Sequence, residues 1–290
     1  MMKPSKQSLQ YAVIIIFLFT NIFIWTAVSR ADRAGVLTVA FLDIGQGDAI
    51  YIEAPNGNQM LIDGGPSSGA LLRALGGVMP FWDRSIDVVM ATHPDQDHVG
   101  GLPAVIENMN VDSVMTTENT SDTGAYGAFE KAVAENKSSR IFARAGERII
   151  LDNGIVLEIL FPDRNTTNWE SNTSSIIARL SYGEESFFFT GDAPESIEKY
   201  IVSKSSGALH SSVLKLGHHG SRTSSSKTFL SAVDPKYAVI SAGKDNKYGH
   251  PHKEVTDLLR ELKIPAVSTY EQGTVVFKTN GKNLIIKVKP

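Results

Sequence analysis

The chain has 290 residues, 42% hydrophobic and 20% charged, with a formal net charge of -3, a composition that excludes disordered and collagen-like classes and is large enough to bury a substantial core. The near-neutral balance argues against gripping nucleic acid by charge alone, although bound cations can still hold a phosphate locally. Cysteine is absent, which excludes disulfides, thiolate metal sites and a cysteine nucleophile, so any metal must be held by His, carboxylates and neutral oxygens.

Residues 1–34 stand apart. Lys3 and Lys6 precede an apolar run from Tyr11 to Val28, broken only by Thr20, Asn21 and Thr26. The run suits a membrane-spanning helix better than the shorter apolar core of a cleaved signal, and the preceding lysines favour placing the bulk of the chain outside the cytoplasm. The expectation is a membrane anchor, or a secreted protein if the segment is cleaved.

From 35 to 290 no linker and no repeat interrupts the pattern, so one domain is expected. Strands are predicted at Leu37–Leu42, Ala49–Ile52, Met60–Ile62, Ile86–Ala91, Ile155–Leu160, Ile176–Leu180, Phe187–Thr190, Val213–Leu216, Tyr237–Ile240, Val275–Phe277 and Leu284–Val288. Helices are predicted at Leu71–Leu75, Leu102–Asn108, Ala125–Glu135, Ser196–Ile201, Ser226–Ala232 and Lys253–Leu262. Strands with helices interspersed in both halves predict an α+β fold of two packed mixed sheets with helices on the outer faces.

Directly after the strand ending at Ala91 comes Thr92-His93-Pro94-Asp95-Gln96-Asp97-His98-Val99-Gly100-Gly101. Pro, Asp and Gly suit any polar turn, but a turn gains nothing from histidine at both ends. Imidazole and carboxylate together suit divalent metals of intermediate hardness, and so tight a loop can aim His93 and Asp95 at one ion and Asp97 and His98 at a neighbour.

This loop resembles the H-x-H-x-D-H signature of the metallo-β-lactamase superfamily, with Asp95 where the second histidine usually stands. The resemblance extends to Leu61-Ile62-Asp63-Gly64-Gly65, where Asp63 would support a ligand from behind, and to Phe189-Thr190-Gly191-Asp192, where Asp192 would bridge the metals. A finer match covers nearly everything from Val36 onward. Phe41-Leu42-Asp43-Ile44-Gly45-Gln46-Gly47-Asp48, the loop with Asp95, Leu216-Gly217-His218-His219-Gly220-Ser221 and Tyr248-Gly249-His250-Pro251-His252 together resemble the C-terminal hydrolase domain of ComEC, the competence DNA-uptake channel. That resemblance implies a four-layer αββα sandwich, two divalent metal ions and a nuclease role on incoming DNA. With a single apolar segment the chain is not expected to conduct DNA itself; both membership in the uptake machinery and a free-standing enzyme stay open.

No histidine lies between His98 and Asp192, an interval where many superfamily enzymes place a third ligand. In Ser171-Asn172-Thr173-Ser174-Ser175, similar to positions of the ComEC-like subgroup, Asn172 offers an oxygen, although an ordinary polar loop explains it equally well. An oxygen-rich site shifts the expected metal toward Mn or Mg, with Zn still compatible. The superfamily's last histidine ligand is assigned to His218, leaving His219 and Ser221 to meet substrate. His250 is expected to give a proton or hydrogen bond to the leaving oxygen, or to be the ligand instead. Asp43 and Asp48 flank a Gly-Gln-Gly turn and either brace it or act directly.

The expected ligand set is therefore His93, Asp95, Asp97, His98, Asp192 and His218, with Asp97, His219 and His250 the catalytic candidates and Asp63, Asn172, Ser221, Asp43 and Asp48 in support. The expected substrate is a phosphodiester, foremost extracellular DNA. The alternatives are a phosphocholine esterase of cell-wall polymers or a lactam or lactone hydrolase on the same fold, and a membrane-anchored DNA-binding component with a vestigial site.

Overall fold

The computed structural model describes residues 6–204 and 209–289. The apolar N-terminal run forms one helix, α1 (Lys6–Arg33), its apolar side chains from Tyr11 to Ile24 exposed. Arg33 at its end pairs with Glu53 at 3.2 Å. Among the described residues no helix is long and apolar enough to cross a membrane. The flanking Lys3 and the side chains at positions 8, 9 and 25–32 lie outside the described residues, so the expected anchor is a helix here and nothing more.

The chain then lays down β1 (Leu37–Phe41), β2 (Ile50–Glu53), β3 (Gln59–Ile62), β4 (Ser85–Met90), β5 (Asn110–Thr116) and β6 (Ser139–Phe142). A second sheet follows from β7 (Arg148–Asp152), β8 (Ile155–Phe161), β9 (Ile177–Tyr182), β10 (Glu185–Phe189), β11 (Val213–Lys215), β12 (Tyr237–Ile240) and β13 (Ala266–Ser268). The hairpin of β14 (Thr274–Thr279) and β15 (Leu284–Lys289) returns to the first sheet, giving orders β15-β14-β1-β2-β3-β4-β5-β6 and β13-β12-β11-β10-β9-β8-β7.

Strand alternation builds the layers. In β10, Phe187 and Phe189 point between the sheets and join Phe41, Leu157, Leu180 and Phe277, whereas Phe188 points outward to the helices. Helices α2 (Ser68–Val78), α4 (Leu102–Asn108) and α5 (Gly124–Glu135), with the short α3 (Gln96–Val99) between, cover the first sheet through Leu71, Leu102, Val105 and Phe129. Helices α6 (Glu195–Lys204), α7 (Lys227–Val233) and α8 (Lys253–Glu261) cover the second through Ile201, Phe229, Leu230 and Leu259, and the one-turn α9 (Thr269–Gln272) follows β13. The αββα sandwich is therefore present.

The strands that periodicity missed are β5, β6, β7 and β13. β6 is exposed throughout; β7 and β13 are also sheet edges, and their apolar stretches, Ile149-Ile150-Leu151 and Ala266-Val267, are short. β5 carries Asp112 and Ser113 between its apolar residues. β3 to β6 run parallel, as do β10 to β13, so the loops leaving their carboxyl ends gather at one rim of the sandwich.

Buried Glu198 on α6 accepts from the backbone of Ser225 and Ser226 at 2.5 and 2.8 Å, ahead of α7. Burial pushes its carboxyl up from 4.5 to about 7, more than those hydrogen bonds lower it. A folded-state value above the unfolded one gives stability that is full below pH 4.5 and lost as pH rises through 7. Chemical denaturation of the metal-free protein should therefore show about 2–3 kcal/mol less contribution from this residue at pH 8 than at pH 5. In Glu198→Gln that part of the pH dependence should disappear.

Candidate metal centre

The rim gathers what the loops deliver. Asp63 follows β3, Thr92 and His93 follow β4, Asp192 follows β10, and His218 and His219 follow β11. Asp63 is buried and accepts from the Thr92 amide and hydroxyl, both at 2.7 Å, and from His98 Nδ1 at 2.8 Å. Because the Thr92 hydroxyl gives its proton to Asp63, it can only accept from His93 Nδ1, 3.0 Å away. His219 Nδ1 lies 2.9 Å from the Ser241 carbonyl, which can only accept. In each of the three imidazoles Nδ1 is therefore the protonated nitrogen and the lone pair falls on Nε2.

Those three Nε2 atoms are buried and, among the described residues, without hydrogen-bond partners, as are Asp192 Oδ1 and Asp48 Oδ1. Asp192 Oδ2 lies 3.3 Å from His98 Nε2 and 3.4 Å from His219 Nε2, and Asp97 Oδ2 lies 3.3 Å from His219 Nε2. Two groups, His93 with His98 and Asp192, and Asp97 with His98 and His219, bring donor atoms within 4.8 Å of one another. Buried lone pairs converging on a carboxylate without partners are what a divalent cation satisfies, and the donor set fits one or two such ions. A third cluster, Asp48 with Asp63 and His98, uses His98 Nδ1, already committed to Asp63, and reads as support.

The electrostatics agree. Burial by itself lowers the His98 and His219 imidazoles, yet Asp192, with Asp63 on one and Asp48 on the other, holds both well above the usual imidazole range. Burial raises the Asp97 carboxyl, but the adjacent His219 and His98 imidazoles outweigh it and hold it far below the carboxylate range. The centre is an anionic well that, without metal, draws protons onto the same Nε2 atoms whose lone pairs a cation would take.

The expected residues divide. His93, Asp97, His98 and Asp192 come together. His219, rather than the expected His218, enters the ligand groups. His218 is partly exposed, bonds Thr223 Oγ1 through Nδ1 at 3.2 Å, and keeps Nε2 at 3.8 Å from Asp192. Both residues have left-handed backbone, at φ 49° and 56°, a conformation non-glycine residues adopt only when the surroundings enforce it. Asp95 sits at the rim, 3.7 Å from His93 Nε2, with the Ser171 hydroxyl donating to it at 2.6 Å. Thus Ser171 contacts the loop; the buried Asn172 Oδ1 has no partner and joins none of the clusters.

His250 borders the centre, its ring 5.3 Å from His218 and 6.1 Å from His219, and burial with the neighbouring histidine charges pushes it down to about 4. Neutral at pH 7, it offers a hydrogen bond rather than a readily available proton. Ser221 braces the Thr223 turn. Asp43 is exposed, caps Gly45 and stays away from the cluster, because the turn that follows carries only Asp48 inward. Asp48 is buried, and its amide donates to the Asp97 carbonyl at 3.1 Å. Gly47 permits that contact: at φ 129° a Cβ there would stand 2.2 Å from the Asp97 carbonyl oxygen.

Lys215 escaped sequence reading. It is fully buried, pairs with Asp48, donates to the Gly191 carbonyl at 3.0 Å and lies 3.6 Å from Asp192 Oδ1. Its signal was a lone lysine in the apolar strand just before Gly217-His218-His219.

A sequence profile described as the metallo-beta-lactamase superfamily matches residues 42–244, most of the domain just described. The chain belongs to this superfamily. Among curated relatives, ComE operon protein 3 of Bacillus subtilis is 28% identical over 87% of this chain and 34% of its own length. Competence protein ComA of Neisseria gonorrhoeae is 32% identical over 82% of this chain and 32% of its own. The chain thus spans about a third of these relatives. The metallo-beta-lactamase fold protein YhfI from Bacillus subtilis superposes with a TM-score of 0.57 at 11% identity, over 84% of this chain and 100% of that one, a likeness of fold alone.

Since Asp63 orients the donor atoms of His98 and, through Thr92, of His93, Asp63→Asn should weaken metal binding about 10- to 100-fold. Competition titration against a chromophoric chelator measures this, while far-UV circular dichroism should stay unchanged.

Proposed function

We propose that this superfamily hydrolase is a phosphodiesterase that cleaves DNA outside the cytoplasm with divalent metal bound at the His93, Asp97, His98, Asp192 and His219 cluster. The observation that carries the metal centre is the convergence of three unpartnered Nε2 atoms on Asp192. Ions held by these residues would supply Lewis acidity, lowering the pKa of water and meeting charge on a phosphoryl oxygen. His98 belongs to both donor groups but has one free lone pair and serves one of them, whereas Asp192, with two oxygens, is the residue able to bridge. Asp63, Thr92 and the Ser241 carbonyl keep the imidazoles aimed. Neutral His250 donates a hydrogen bond toward the leaving oxygen from the outer side.

The choice of DNA rests on the competence-named relatives. The preference for Mn or Mg rests on the two carboxylates among the donors and on the absence of a histidine between His98 and Asp192. Placement outside the cytoplasm rests on α1, whose exposed apolar side chains favour lipid over water, and on the lysines before it.

The deciding experiment takes the full chain in detergent, strips it with chelator, and returns Mn, Mg and Zn separately with labelled single- and double-stranded DNA. Cleavage that depends on one ion is expected. Metal binding without cleavage of either DNA would end the nuclease reading and move the substrate to a cell-wall phosphodiester or another small ester. Protease protection of membrane vesicles tests the orientation: digestion of the domain in intact inverted vesicles would contradict an extracytoplasmic placement.

A further inference from the structure

Beside the metal centre, on the His250 side, lies an open cleft of about 720 Å³ lined by Lys244, Asp245, His250, Lys253, Tyr270 and Glu271. Its edge is the loop from Gly243 to Lys253, one side chain of which holds it rigid. Asn246 Nδ2 donates to the Gly243 and His250 carbonyls at 2.9 and 2.6 Å, and Asn246 Oδ1 accepts from the amides of Tyr248 and His250 at 3.2 and 3.0 Å. That brace presents Tyr248, 51% exposed, with its ring stacked on His250 at 5.6 Å and 19°. Lys247 Nζ lies 4.9 Å from the tyrosine ring centre. Lys244 and Lys247 are exposed and have no acidic partner among the described residues, whereas Lys253 is paired with Asp257.

A fixed, exposed aromatic ring continuous with the catalytic histidines and flanked by two ammonium groups without acidic partners among the described residues has the chemistry of a stacking platform beside a phosphate path. A duplex keeps its bases stacked on each other and offers no face to such a ring. We propose that this loop is a subsite for single-stranded nucleic acid, in which Tyr248 stacks a base next to the scissile phosphate while Lys244 and Lys247 contact the flanking phosphates. The proposal rests on the phosphodiesterase reading for its place in catalysis, and it explains how a chain of net charge -3 holds a polyanion: the cations are local.

The test compares two substrates on the metal-loaded full chain, a single-stranded oligothymidylate and bis(4-nitrophenyl) phosphate, a diester with no base and no flanking phosphate. Tyr248→Ala should lose about ten-fold more in kcat/KM on the oligonucleotide than on the small diester. Tyr248→Phe should restore the difference, and Lys244→Ala with Lys247→Ala should reduce the salt dependence of oligonucleotide KM by about 1.4 in log–log slope. Equal losses on both substrates would overturn the subsite and leave Tyr248 as a prop for His250. If wild type hydrolyses neither substrate, the phosphodiesterase reading fails by itself. Fluorescence anisotropy of the labelled oligonucleotide then decides the subsite: about ten-fold weaker binding by Tyr248→Ala upholds it, and unchanged or absent binding overturns it.

Discussion

Asp192→Ala should abolish hydrolysis and at least one metal equivalent together. The carboxylate lies against His98, His219 and Lys215 at once, so its loss removes a donor of the His93 and His98 group and the anion that faces both His98 and His219. Metal assistance is worth several kcal/mol of transition-state stabilisation, which corresponds to a fall on the order of a thousand-fold in rate. Equilibrium dialysis with elemental analysis gives the stoichiometry and a phosphodiester assay gives the rate. The neighbouring histidines discriminate further. His219→Ala should lose metal, since its Nε2 is buried and aimed at Asp97 and Asp192, whereas His218→Ala should keep the wild-type stoichiometry. The reverse result would return the ligand role to His218 and require the loop at Gly217–Gly220 to rearrange when metal binds.

Lys215→Met should destabilise the metal-free protein by about 3–5 kcal/mol, because truncating one member of a buried charge cluster leaves the others uncompensated. Methionine matches the lysine's length and keeps the apolar packing of β11, so the cost isolates the ammonium. Burial alone would lower this lysine, yet Asp48 and Asp192 hold it above its ordinary value, which makes it a charged counter-ion and not a neutral amine. Added divalent metal should recover more stability in the variant than in wild type, since only the variant has both Asp48 and Asp192 without their cation. Thermal melts with and without metal read this directly. A variant as stable as wild type without metal would show that the two carboxylates are neutralised by protons and imidazoles alone.

Much of the site was legible because much of it is local. His93, Asp97 and His98 sit in one short loop after an apolar strand, and a loop that short has few ways to separate its ligands. The core strands were legible for a similar reason: β10 and β12 are buried almost throughout, and their apolar runs Phe187-Phe188-Phe189 and Ala238-Val239-Ile240 are unbroken. The edge strand β6, exposed throughout, carries no such run and pairs with β5, from which α5 separates it along the chain.

By itself the sequence determined the superfamily, the αββα layering and the presence of a histidine and carboxylate centre, all of which follow from short-range pattern. Only the tertiary structure decided which of two adjacent histidines turns inward. That depends on left-handed backbone at both, held by the Ser241 carbonyl and by the turn that returns from Ser221 to His218. It also separated Asp48 from Asp43, placing one against Lys215 and leaving the other in solvent. A buried ammonium is tolerable only where distant strands bring carboxylates to it, and Asp48, Asp192 and Lys215 come from three different segments whose meeting no local period encodes.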